Sequence, residues 1–250
     1  MSTLQLLKIE WYKLQRLEVY IILALYFLLI TAISFFSTVF QIDAGRSAEA
    51  VFTPDFFLQV SASIGTLLIV IMVMLTISRE RTNQSNRKRL INGYTRDDIY
   101  TAQFIQVKLV WGLFLVTWLL TAFCSALFVG LNPISFFGDF TTGQFLGVVF
   151  GFLAKGILAA FWITLMGKVI LGLVLYFAWS VLETILDLIA KVSATASGNS
   201  NNISNFLPTT VIDNFMTNTP FISDWAYFTF GMTMLILLFV PYMKIQKTDY

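Results

Sequence analysis

Six stretches of mostly apolar residues constrain this chain more than any other feature, because each is long enough to cross a hydrocarbon layer about 30 Å thick. They run over residues 19–40, 57–77, 104–129, 143–166, 169–189 and 225–242. The fourth and fifth almost touch, yet one helix over 143–190 would be about 72 Å long at 1.5 Å per residue. The chain is therefore expected to fold back at Gly167 and Lys168. All five prolines fall between spans or at their ends, so nothing demands paired broken helices. The first span is too long for a signal-peptide core and follows an amphipathic segment, so it is read as retained.

Composition agrees with a lipid solvent. The chain is 57% hydrophobic and 12% charged, against about a quarter charged in soluble domains. No His and a single Cys, Cys124, remove catalytic Ser-His-Asp and Cys-His sets, His-ligated metals, CxxC redox centres and an internal disulfide. A net charge of +2 makes no case for nucleic acid. The expected fold class is an all-α integral membrane protein, a single transmembrane domain over 1–250.

The placement of the charges gives the orientation. Of the 16 basic residues, Lys8, Lys13, Arg16, Arg79, Arg81, Arg87, Lys88, Arg89, Arg96, Lys108, Lys168, Lys244 and Lys247 fall on one side. Arg46 and Lys191 fall on the other, and Lys155 lies within a span. The positive-inside rule then places both termini in the cytoplasm of a multi-pass protein of the cell membrane.

Three segments are more than connections. Residues 1–18 place Leu4, Leu7, Trp11 and Leu14 at helical spacing with Lys8, Lys13 and Arg16 beside them, predicting an amphipathic helix on the cytoplasmic leaflet. Residues 79–103 form a basic cytoplasmic loop. Asn83 or Ser85 can cap a short helix from Asn86 to Ile91, Asn92-Gly93 supplies a left-handed stop, and Thr95 with Asp98 forms a capping box opening the third span. A plain lipid anchor would not need such punctuation. On the outer side, 191–223 begins as a polar linker, and Pro208 then opens a short amphipathic helix with Leu207, Val211, Ile212, Phe215 and Met216 on one face.

Within the spans, Gly143, Gly147 and Gly151 recur every fourth residue ahead of Lys155, a stripe that lets helices approach closely. Lys155 and Glu183 lie 12 and 15 residues from the Gly167–Lys168 turn, about 18 and 22 Å in depth. A charge at that depth is costly, so Lys155 is expected to pair with Glu183, with Asp187 nearer the outer interface. The pair either locks the hairpin or lines a path for substrate or protons. Trp111, Trp118, Trp162 and Trp179 read as packing or interface anchors compatible with a lipid-like cargo.

The start Leu6-Leu7-Lys8-Ile9-Glu10-Trp11-Tyr12-Lys13-Leu14, the six spans, the loop core Asn92-Gly93-Tyr94-Thr95-Arg96 and the outer Leu207-Pro208 together resemble the permease subunit of type-two ATP-binding-cassette (ABC) exporters. The resemblance implies an elbow helix at the N-terminus, a dimer with a second copy or a paralogue, and a separate ABC ATPase carrying ATP and Mg. It makes Glu80, Arg87, Lys88, Arg89, Leu90, Asn92, Gly93, Thr95 and Arg96 the loop that couples to that ATPase. Where the family often carries a Lys a few residues after the Arg, this chain has Gln103, and its next Lys is Lys108. Independently, no GxxxxGK[ST] loop occurs, so the chain is expected to hold no nucleotide or other cofactor and to be no enzyme. Two other classes stand beside this reading. A non-transporting assembly or signalling protein would tolerate reshuffled loop charges. An ion-coupled carrier or channel would work without ATP through Lys155, Glu183 and Asp187.

Overall fold

The computed structural model describes residues 3–43, 51–82, 85–197, 207–216 and 224–247, and all of its regular structure there is helical. The helices are α1 (Thr3–Leu14), α2 (Leu17–Asp43), α3 (Pro54–Thr82), α4 (Ser85–Ile91) and α5 (Arg96–Val129), followed by α6 (Pro133–Gly138), α7 (Thr142–Met166), α8 (Val169–Ser197), α9 (Pro208–Met216) and α10 (Asp224–Lys247). Six of them, α2, α3, α5, α7, α8 and α10, are long and apolar enough to cross a membrane.

Local chemistry sets the breaks. Gly167 adopts φ +74° and its N–H bonds back to Ile163 O at 2.8 Å, so α7 ends in a left-handed cap at the place where the chain is expected to fold back. Gly93 (φ +83°) ends α4 in the same way, with Tyr94 N–H donating to Arg89 O and Gly93 N–H to Leu90 O. The Thr95–Asp98 capping box is present, Asp98 N–H reaching Thr95 Oγ1 at 3.2 Å and Thr95 N–H reaching Asp98 Oδ2 at 2.9 Å. A second box, Thr141 with Gln144, opens α7.

Helix α7 is the hub, packing against α3, α5, α8, α9 and α10, and α2 closes the bundle against α3 and α5. Its glycine face earns that place: Gly147 and Gly151 are buried, and a Cβ on Gly151 would collide with the Met216 side chain of α9. Phe114, Phe152, Tyr26, Phe57 and Trp118 fill the centre, where Trp118 Nε1–H donates to Ser61 Oγ at 3.1 Å. Helices α8 and α10 are peripheral and present Ile170, Val174, Val181, Leu188, Leu235 and Phe239 outward. An exposed apolar belt of this size is stable only against hydrocarbon.

Several boundaries differ from the sequence reading. Helix α3 runs on past 77 to Thr82, whereas α4, the turn at Gly93 and the opening of α5 at Arg96 fall where the loop's punctuation puts them. Helix α8 continues to Ser197 rather than ending at 189, because its small and apolar residues tolerate the extra turns. Pro241 lies inside α10, where its ring removes one backbone donor; Tyr100 OH donates to the nearby Leu238 carbonyl at 3.0 Å. Helix α6 has no counterpart in the sequence reading; its Phe136 stacks on Phe52 at 4.9 Å. Asn83 and the 198–206 linker, with the side chains of Ser85, Lys191 and Phe215, lie outside the described residues.

Candidate functional site

The end of the bundle that carries α1 and α4 holds a buried charge cluster. Glu10 of α1 is completely buried and accepts from Lys13 Nζ at 2.9 Å, from Arg89 Nη2 and from Gln106 Nε2. Glu80, at the end of α3, is also buried and pairs with Lys13 and, at 3.4 Å, with Arg89. Two acids and two bases cancel. Burial of any one alone would carry a desolvation cost of several kcal/mol, so the four stand or fall together. Glu80 Oε2, Arg89 Nη1 and Gln106 Oε1 are buried with no hydrogen-bond partner among the described residues. The network is therefore only partly satisfied, and its unpartnered buried atoms carry a desolvation cost.

This cluster ties α4 to the rest of the bundle. Arg89 points inward from α4, while Arg87, Lys88, Asn92 and Ile91, the last 75% exposed, point outward, and Leu90 is half-buried. At the same end Arg96 donates to Gln246 O, Gln246 Nε2 donates to Asp97 Oδ1 at 2.6 Å, and Lys244 donates to Leu165 O. Glu18 and Arg79 form a further pair between α2 and α3. Displacement of α4 thus reaches α1, α3 and α5 directly.

Helix α1 has a second, bundle-facing stripe beside the expected one. Leu6, Glu10 and Leu14 are buried against the bundle, whereas the expected apolar stripe of Leu4, Leu7 and Trp11 faces outward; only Leu14 of that set is buried. The 6-10-14 stripe was overlooked because Glu10 interrupts it. An acid in a stripe at helical spacing is a signal that a buried cation must come from elsewhere, here Arg89.

The intramembrane charges need a correction. Lys155, 2% exposed, pairs with Asp213 of α9 at 2.7 Å and not with Glu183. Glu183, 1% exposed, accepts instead from the backbone N–H groups of Thr209 and Thr210 at 2.8 and 3.1 Å, and from the Trp179 indole. The reason is the free N-terminus of α9, whose unpaired N–H groups and dipole favour a carboxylate. Asp187 lies one turn further along α8, half-buried. Gly143 is exposed and takes no part in the packing stripe. Helix α9 is sunk into the bundle, held by Lys155, by Glu183 and by Met216 over Gly151.

Below the N-terminus of α9 lies an apolar cavity of about 360 Å³ between α7, α8 and α10. Among the described residues, no group of three or more His, Cys, Asp or Glu could hold a metal ion. The fold and its exposed belt define the class as a multi-pass helical membrane protein. Comparison with family models, curated proteins and solved structures finds no match for this chain.

Proposed function

We propose that this chain is the membrane-spanning permease subunit of an ATP-driven ABC exporter, working as a dimer with a separate ATPase on its cytoplasmic, basic side. The observation that carries the reading is the double face of α4. Its Arg89 is plugged into Glu10 and Glu80, and its Arg87, Lys88 and Ile91 project outward from a turn fixed at both ends. A rigid element wired to three other helices transmits a push, whereas a floppy loop absorbs it. A membrane anchor alone would be served by exposed cations and would not need the buried arginine. On this reading α1 lies at the cytoplasmic interface with Leu4, Leu7 and Trp11 in lipid.

The test is purification of the full chain from its native membranes in mild detergent, with co-purifying proteins identified by mass spectrometry. Wild type is expected to bring down a P-loop ATPase in stoichiometric amount. Ile91→Asp, at an exposed position that folding does not need, is expected to lose it. Absence of an ATPase from the wild-type preparation would overturn the proposal.

A further inference from the structure

The cavity beside α9 is walled by Phe161 and Trp162 of α7, Trp179 of α8, Pro208 of α9 and Ile236 and Leu237 of α10. The two indoles stand 6.3 Å apart at 51° to each other. At about 360 Å³ it falls in the size range of ligand pockets, about 300–1,000 Å³. It opens sideways: Trp179 is 39% and Ile236 52% exposed, and α8 and α10 both lean on α7.

Phe161 lies six residues before Gly167 and Trp179 eleven after Lys168, which places the walls about 9–16 Å from the basic end. In a core about 30 Å thick, that range spans the basic half up to the midplane. Water can occupy a corner of the space at most: a buried water needs two to four polar partners, and the lining offers the Thr233 hydroxyl and the Trp162 indole N–H, which has no partner among the described residues, against walls that are otherwise apolar. Left empty, the walls would forfeit their dispersion contacts on that side. The species present at overwhelming concentration at that depth, with the right chemistry and a lateral entrance, is a lipid tail.

We propose that the cavity is a lipid-binding site in which one acyl chain, from a bilayer lipid of the leaflet on the basic side, enters between α8 and α10. The chain lies against Trp162 and Trp179 beneath the N-terminus of α9. The site rests on membrane embedding alone and does not depend on the ATPase. Its roof is Pro208, and the next two residues are gripped by Glu183, so an occupied cavity props the seat of α9.

The full chain in nanodiscs doped with a phosphatidylcholine carrying a mid-chain diazirine tests this by photolabelling and peptide mass spectrometry. Adducts are expected on Trp162, Trp179 and Leu237 in wild type. Two further lining residues allow the cavity to be filled from opposite walls, by Leu158→Phe and by Thr233→Phe. Each is expected to abolish those adducts while labelling of the outward-facing Leu25 and Leu28 on α2 is unchanged. Cavity adducts that persist in both variants, or that fall together with those on α2, would overturn the proposal. So would labelling of the cavity by a free diazirine fatty acid but not by the phospholipid.

Discussion

Removing Arg89 exposes the energetics of the basic-end cluster most sharply. In Arg89→Met, Glu10 and Glu80 remain buried with only Lys13 to neutralise both, so the cluster carries a net negative charge. Breaking a buried pair by deleting one partner costs about 3–5 kcal/mol. Lys13 is 22% exposed and still bridges both acids, so the lower end of that range, about 3 kcal/mol, applies. At about 2–4 °C per kcal/mol for a chain of this size, Tm falls by about 6–12 °C. Cys124, the single cysteine and half-buried in α5, makes the assay simple: a thiol-reactive fluorophore reports unfolding of the detergent-solubilised protein. Adding Glu10→Gln restores neutrality, and the double variant is expected to recover about 1–3 kcal/mol of the sum of the single losses. A Tm within about 2 °C of wild type for Arg89→Met, or strict additivity of the two changes, would refute this reasoning.

Other positions give equally definite outcomes. Gly93→Ala meets no atom within 4 Å, so its cost is left-handed backbone strain alone, about 1–2 kcal/mol; hydrogen exchange at Tyr94 should quicken about 5–30-fold. Gly151→Val drives the Met216 side chain out of its seat, and a thiol at Thr210→Cys, in a Cys124→Ser background, is expected to become more reactive as α9 loosens. Lys155→Met should lower Tm only slightly, because the Asp213 carboxylate it leaves is 53% exposed, whereas Glu183→Gln, which weakens the hold on the N-terminus of the same helix, should lower it more.

What the sequence makes legible is what neighbours along the chain decide. The left-handed stop at Gly93 and the Thr95–Asp98 box depend on residues within one turn, the fold-back at Gly167 follows from span length, and the structure has all three. Span number follows from hydropathy alone, since the bilayer imposes length. The faces were harder. Depth arithmetic puts Lys155 and Glu183 at nearly the same level, but the direction in which each points depends on how α7, α8 and α9 are rotated. Asp213 sits 58 residues beyond Lys155 on a helix whose apolar face announces burial but not the helices it is buried against. The basic-end cluster is of the same kind. Glu80, Arg89, Glu10 and Gln106 come from four helices and meet only in three dimensions. One clue was present throughout, an acid at position 10 between Leu6 and Leu14.

The central claim, that α4 is the face a motor grips, is tested most directly by a crosslinker at its tip. In a Cys124→Ser background, Ile91→Cys in native membranes is treated with a short thiol-to-amine crosslinker and the adducts are sequenced; Ile134→Cys, on α6 and 81% exposed, serves as the control. An adduct containing a P-loop ATPase from position 91 and none from position 134 is the result predicted. No ATPase adduct from position 91, or equal capture from both positions, would contradict it.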